Sequence, residues 1–291
     1  MKRYIALYTI FMLFVLFAIP DRGTAKETKQ AFHYRDKAVV LMYHNFGPVE
    51  NNVTISDKKF RSQLQALRDA GYHFITMNDF LMYKLHGNDL PNNAVLVTID
   101  DGYESAYKVA FPVLKEFGVK ASVFVVVRST DEPLQHQESE THLSWDEMRE
   151  MKGNGQSFYS HSYGSHVQVP TDGDGTKKPA LIGRLYDKDS KKTETDEQYR
   201  RRVATDLELA DVRLNAELGN KTRLLCFPYG SYDDELLEIG QKEGIQLFFT
   251  TRSGINENDG SLLVKRVNAG ASGISERDLL RKLSAYDQPR T

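Results

Sequence analysis

Ala94-Val95-Leu96-Val97-Thr98-Ile99-Asp100-Asp101-Gly102 begins as an uninterrupted apolar run and closes on two adjacent carboxylates. Such a run, bounded by a turn signal, reads as a buried strand. Two carboxylates at its C-terminal tip can do two jobs, because the chain changes direction there. One can bind a metal while its neighbour faces the attacking water. Downstream, His161-Ser162-Tyr163-Gly164-Ser165-His166 offers two imidazoles after another strand-like run at 156–160. One carboxylate, two imidazoles and a spare carboxylate point to a hydrolytic metal site, hence to an enzyme.

Strand and helix signals alternate outward from this stretch. Strands are expected at 38–43, 74–77, 94–99, 121–127, 224–227, 247–250 and 264–267. Helices are expected at 57–70, 103–117 (despite Pro112), 197–218, 233–242 and 276–283, with Gly71 and Gly219 as stops. Ser144-Trp145-Asp146-Glu147 has the spacing of a capping box. Repeated alternation implies parallel strands under covering helices, and about seven or eight such units suit a barrel better than an open sheet. In barrels reactive groups cluster at the C-terminal strand ends. His44, Asp100, Asp101, His161 and Tyr229 all fall just past predicted strands. The polar segment 167–195 is expected to be an insertion with little regular structure, either a wall of the substrate groove or a surface loop without a role.

The 291 residues can hold one large domain or two modest ones. A net charge of −2 gives no electrostatic case for nucleic acid or an anionic membrane. A single Cys excludes an internal disulfide framework and a cysteine zinc cluster. Lys2-Arg3, an apolar stretch at 4–19 and small residues before Lys26 have the pattern of a signal peptide or N-terminal anchor over 1–25. A polar tether is expected at 26–37 and a single catalytic domain at 38–291. The body of the chain is therefore expected outside the cytoplasm, secreted or tethered to the cell surface. Nothing in the sequence suggests an obligate oligomer or protein partner, so a monomer is expected.

Three motifs in order resemble those of the polysaccharide deacetylases, carbohydrate esterase family 4: Thr98 to Gly102, His161 to His166, and Cys226-Phe227-Pro228-Tyr229-Gly230. The similarity runs from about Lys37 to about Leu283. It implies a distorted (β/α) barrel carrying a NodB-like domain. The histidines are spaced i, i+5 rather than the family's usual i, i+4, and Cys226 stands where the third motif usually has Arg. Both features, with Met42-Tyr43-His44 and the segments 178–181 and 194–203, resemble the branch that acts on poly-β-1,6-N-acetylglucosamine.

The resemblance implies a role for each residue. Asp101, His161 and His166 are expected to hold a divalent metal, zinc first and then cobalt, nickel or iron. On a helix two positions five apart diverge by about 140°, so the pair must converge from a loop, with Gly164 as the expected bend. Asp100 is expected to be the general base, and can also cap the following helix. His44 is expected to be the general acid, with a structural strand-end His as the alternative. Pro228-Tyr229-Gly230 is expected to form a turn presenting the Tyr229 N–H to the oxyanion. Trp145 can stack on a sugar or pack in the core. With Cys226 unable to orient the base, Arg266 is the candidate substitute. Cys226 itself reads as a buried strand residue, and His33, His73, His86, His136 and His142 as ordinary side chains. Asp172-Gly173-Asp174-Gly175 lacks the twelfth-position Glu of a calcium-binding EF-hand.

The expected activity is N-deacetylation of a β-linked N-acetylglucosamine polymer, the β-1,6 linkage favoured, giving acetate and a glucosamine unit. Peptidoglycan, chitin oligomers or acetylated xylan would share the same centre. A glycan-binding surface protein on a decayed scaffold is the non-enzymatic alternative.

Overall fold

The computed structural model describes residues 31–132 and 140–288. The expected leader, residues 26–30 of the expected tether and His136 lie outside them. The rest of that tether is packed rather than free. Tyr34 is fully buried and donates to the Ala94 carbonyl at 2.9 Å. The His33 ring stacks on Tyr72 at 4.4 Å. The compact body therefore includes residues 31–37, ahead of the boundary expected at 38.

The centre is a parallel sheet that nearly closes on itself. Its strands run in the spatial order Lys37–Tyr43, Ala94–Ile99, Ser122–Val125, Ser157–Ser160, Leu224–Cys226, Leu247–Phe249 and Leu263–Val264. The strand expected at 264–267 is divided. Leu263–Val264 pairs with Leu247–Phe249, whereas Val267–Asn268 pairs with Lys37–Tyr43 at the far side of the ring. Lys265 and Arg266 lie in the break because the two halves have different neighbours. His73–Ile75 adds a further distortion, pairing with the first half of Ala94–Ile99 while Ser122–Val125 pairs with its end.

Burial on both faces accounts for the apolar runs. Ala38, Val40, Leu96, Phe124, Cys226 and Phe249 fill one cluster, and Val39, Leu41, Tyr43, Val95 and Val97 belong to another that includes helix residues. Asp57–Asp69 packs Phe60, Leu64 and Leu67 into the latter, as its stripe predicts. The helix Met77–His86 is absent from the sequence expectations, although Thr76 and Asp79 form a capping box and Gly87 closes it in the left-handed conformation. The helix expected at 103–117 is a wide π turn over Ala106–Ala110 followed by Phe111–Phe117. Pro112 thereby sits in the first turn of the α-helix, where its missing N–H costs nothing.

The segment expected to lack regular structure forms two small antiparallel pairs, Gln168–Pro170 with Lys177–Pro179 and Tyr186–Asp187 with Lys192–Thr193. Asx turns at Asp172 and Asp187 supply the reversals. Arg202 ties the segment down, donating to the Ala180 and Gly183 carbonyls and to Glu194. It projects from the long helix Asp196–Leu218, which is capped by Thr195 and closed by left-handed Gly219. Among the described residues no helix is long and apolar enough to cross a membrane.

Candidate active site

Parallel register brings the strand tips to one face of the barrel. Tyr43 pairs with Ile99, and the Asp100 N–H donates to the Tyr43 carbonyl at 2.8 Å. His44 and Asp100 are thus neighbours. Asp101 has φ 70° and Gly102 φ 73°, so the chain turns through two left-handed residues in succession. An ordinary side chain is rare in that region and marks a conformation held by its surroundings. A Cβ on Gly102 would meet Val125 Cγ1 at 2.8 Å. The two carboxylates consequently have different partners.

Asp100 is 2% exposed and faces Arg266, which is also buried. The guanidinium grips both carboxylate oxygens at 2.7 Å, while its Nε donates to the Thr250 carbonyl at 2.8 Å. Cys226 Sγ lies 3.1 Å from Arg266 Nη2 and 3.4 Å from Asp100 Oδ2. A small residue at 226 leaves room for a guanidinium that arrives from the break in the last strand. Burial pushes the Asp100 carboxyl up, but Arg266 outweighs it and holds the group well below the usual carboxylate range. His44 Nε2 is 3.9 Å from Asp100 Oδ2, and its buried Nδ1 has no hydrogen-bond partner.

Asp101 Oδ1 lies 3.3 Å from both His161 Nε2 and His166 Nε2. It is buried without a hydrogen-bond partner. His161 Nδ1 is 2.8 Å from the Cys226 carbonyl, which only accepts, so Nδ1 carries a proton and donates. In the neutral ring Nε2 then turns its lone pair toward Asp101. Burial opposes charging His161, yet neighbouring Cys226, Asp101 and Asp100 raise its pKa well above the usual imidazole value. Burial and His161 instead lower that of His166. The pocket favours one positive charge, and three convergent donors can hold a metal ion. A second trio, Asp100, His161 and Cys226, is as close-set. It suits a cation less, because Arg266 already occupies both Asp100 oxygens.

The loop joining the histidines bends at Ser162, with φ 74°, rather than at Gly164. Gly164 instead lies against Arg128, whose Cδ would be 3.0 Å from an added Cβ. Ser160 Oγ accepts from the Ser162 N–H, and Ser162 Oγ from the Ser165 N–H. Asp206, on the long helix, accepts from the Tyr163 and Gly164 N–H groups and from Ser165 Oγ. Sequence reasoning missed Asp206, which looks like any helical acid in the linear chain.

Tyr229 follows Leu224–Cys226 and has φ 59° inside the Pro228–Gly230 turn. Its ring lies 4.5 Å from that of His166, and its hydroxyl donates to the His166 carbonyl at 3.2 Å. A Cβ on Gly230 would sit 2.2 Å from Thr251 Oγ1, so only glycine fits. Trp145 is not in this group. Its indole N–H donates to Asp131, Arg213 lies over its ring, and it packs against the core. His142, expected to be ordinary, packs on Tyr103 at 5.1 Å; burial lowers its pKa while Asp101 pulls it upward. Pairing of residues 103 and 142 brings it there, and no local pattern announces it.

The family model for polysaccharide deacetylase matches residues 87–248, more than half of the chain. The chain belongs to the polysaccharide deacetylase family. This deacetylase is accordingly a hydrolase of amide bonds. Its matched region includes Asp100, Asp101, His161, His166 and Tyr229, whereas His44 and Arg266 lie outside it. It is 27% identical over 241 residues to the poly-β-1,6-N-acetyl-D-glucosamine N-deacetylase of Staphylococcus epidermidis, covering 77% of this chain and 76% of that one. Identity is also 27% over 229 residues to the Escherichia coli K12 enzyme of the same name, covering 75% of this chain. The match spans only 34% of the Escherichia coli protein. Among solved structures, the BpsB deacetylase domain from Bordetella bronchiseptica aligns with TM-score 0.72 and 26% identity, over 81% of this chain and 97% of that one.

Proposed function

We propose that this deacetylase removes acetyl groups from N-acetylglucosamine units of an exported β-linked polysaccharide, poly-β-1,6-N-acetylglucosamine in the first instance. The observation that carries the chemistry is the divergence of two adjacent carboxylates. Asp100 is clamped by Arg266 beside His44, while Asp101 Oδ1 stands unpartnered between two imidazole nitrogens. The substrate assignment leans on the relatives' names and on the branch features at His44, Cys226 and the i, i+5 histidines. Export rests on the basic and apolar pattern of residues 1–25.

Asp101, His161 and His166 would hold a divalent cation, zinc first by the mixed oxygen and nitrogen donors. When bound, it supplies Lewis acidity toward the acetyl carbonyl and the attacking water. Asp100 accepts the proton that water loses on adding to the carbonyl carbon. Arg266 keeps it ionised and fixes its direction. The Tyr229 N–H, held by the Pro228–Gly230 turn, faces the developing oxyanion. His44 delivers a proton to the nitrogen as the C–N bond breaks, giving acetate and a free amine.

The test is acetate release from β-1,6- and β-1,4-linked N-acetylglucosamine oligomers by the full chain supplied with zinc, cobalt or nickel. Release from the β-1,6 oligomers, lost on chelation and in Asp100→Asn, is expected. Release only from β-1,4 oligomers would move the substrate to chitin-like or wall glycans. Failure on both, with metal bound, would remove the proposed substrate.

A further inference from the structure

An i, i+5 histidine pair has no regular secondary structure that makes it converge, since on a helix the two would point about 140° apart. Yet His161 Nε2 and His166 Nε2 stand at the same 3.3 Å from Asp101 Oδ1. Something must hold the four intervening residues in one shape. Glycine does not, because Gly164 has no positive φ. The Ser160 and Ser162 hydroxyls and the Val127 and Arg128 N–H groups hold part of the loop, and three further contacts converge on one side chain. Asp206 Oδ1 accepts from the Tyr163 N–H at 3.0 Å, and Oδ2 accepts from the Gly164 N–H at 2.9 Å and from Ser165 Oγ at 2.9 Å. Three consecutive loop residues are thus bound by one carboxylate. Its mount is rigid, being the middle of the 23-residue helix Asp196–Leu218 with Val203, Leu207 and Ala210 buried beneath it.

We propose that Asp206 is the positioning residue of the cation site, fixing the His161–His166 separation so that both nitrogens converge on Asp101. This rests on the reading of those three residues as ligands. Asp206 touches neither substrate nor cation. It satisfies two backbone N–H groups and a hydroxyl that a tight, half-buried loop would otherwise leave unpaired. A carboxylate suits the task because it only accepts. An amide in its place turns an –NH2 toward at least one of the three donors.

The experiment compares wild type, Asp206→Asn and Ser165→Ala as full chains, titrated with cobalt(II) while its visible absorption is followed. Asp206→Asn is expected to weaken cobalt binding by about 10- to 100-fold, the usual cost of losing a group that orients a ligand. It should also change the absorption bands, which a loss of general stability would not do. Ser165→Ala keeps the charge and removes one donor; it should shift the same bands with a smaller loss of affinity. Amide hydrogen exchange gives a readout without metal, with slow exchange at Tyr163 and Gly164 expected in wild type and fast exchange in Asp206→Asn. Unprotected amides in wild type would overturn the proposal while leaving the ligand assignment standing. Unchanged affinity and bands in both variants would overturn it as well. A wild-type chain that binds no cobalt, with both amides protected, would sink the ligand reading and with it the role given to Asp206. Should Asp206→Asn fail to fold, Ser165→Ala decides by the same bands.

Discussion

Arg266 and Asp100 are 166 positions apart, yet each guanidinium Nη meets a carboxylate oxygen at 2.7 Å inside the barrel. Cys226, at the position expected to orient the base, only borders this pair. The arginine comes from the break where the last strand leaves Leu247–Phe249 for Lys37–Tyr43.

Arg266→Ala should therefore cut turnover by about 10²-fold or more, the scale of a disabled general base, while bound metal is retained. It should also lower stability by about 3–5 kcal/mol, because Asp100 becomes an uncompensated buried charge. Arg266→Lys restores charge without the two-pronged grip and should recover stability better than turnover. Steady-state kinetics, metal analysis and thermal melts on both variants check this. Wild-type turnover in Arg266→Ala would refute it.

Cys226 is buried, and burial pushes its thiol pKa up, so it is expected to be inert. Thiol reagents should leave the folded protein unlabelled, and Cys226→Ala should keep turnover within the same order of magnitude. Rapid labelling of the native chain would contradict this.

Removal of the cation should be felt by the fold. Asp101 Oδ1 is buried 3.3 Å from two imidazole nitrogens, so chelation takes away the cation this donor set would hold and leaves the three groups to compensate one another. Melting temperature should fall on chelation and recover with added zinc, as for any ligand that binds only the native state. In His166→Ala the response should be largely lost. An equal chelator response in that variant would place the stabilising ion elsewhere.

Asp211 sets a pH dependence away from the site. Burial raises its carboxyl to about 7, and Arg223, 3.6 Å away, does not offset this. A folded pKa above the unfolded value near 4 means that the native state holds a proton the unfolded state releases. This contribution is complete below about pH 4 and is lost as pH rises through 7. Stability from this group should fall across that interval, and Asp211→Asn should flatten the slope. Denaturant melts at a series of pH values measure it, and identical slopes would rule Asp211 out.

Gly230→Ala should misplace Tyr229. The position has φ 65°, and the new methyl would fall 2.2 Å from Thr251 Oγ1. A loss exceeding about 1 kcal/mol is expected, with turnover reduced because Tyr229 leaves His166. A melt and a rate identical to wild type would show that the turn tolerates a side chain.

Local order in this protein was legible in the linear chain. Apolar runs located Ala94–Ile99 and Leu224–Cys226, and the Ser144 capping box and the Gly219 stop marked helix ends that the structure places there. Asp100, Asp101 and His161 were visible as a pattern because each follows a strand tip, and His166 because it shares a short polar loop with His161. These features depend on side-chain period and on hydrogen bonds closed within a few residues, both of which are written in neighbouring positions. The helix Met77–His86 carries the same signals, but Met77 also reads as the last residue of the strand expected at 74–77, which masks the helix start.

Closure of the barrel decided the rest. It split the last strand, carried Arg266 to Asp100, set Asp206 beneath the histidine loop, and gave Trp145 to the core while bringing His142 beside Tyr103. Each of these depends on which side chains meet across a packed interior, where volume and unpaired donors choose the partner. Sequence by itself determined the main barrel strands and the reactive groups at their ends. Arg266 could be named in the chain as a candidate to orient Asp100, but only the tertiary structure decided that contact and revealed Asp206, because the orienting contacts form only after distant segments are brought together and dried.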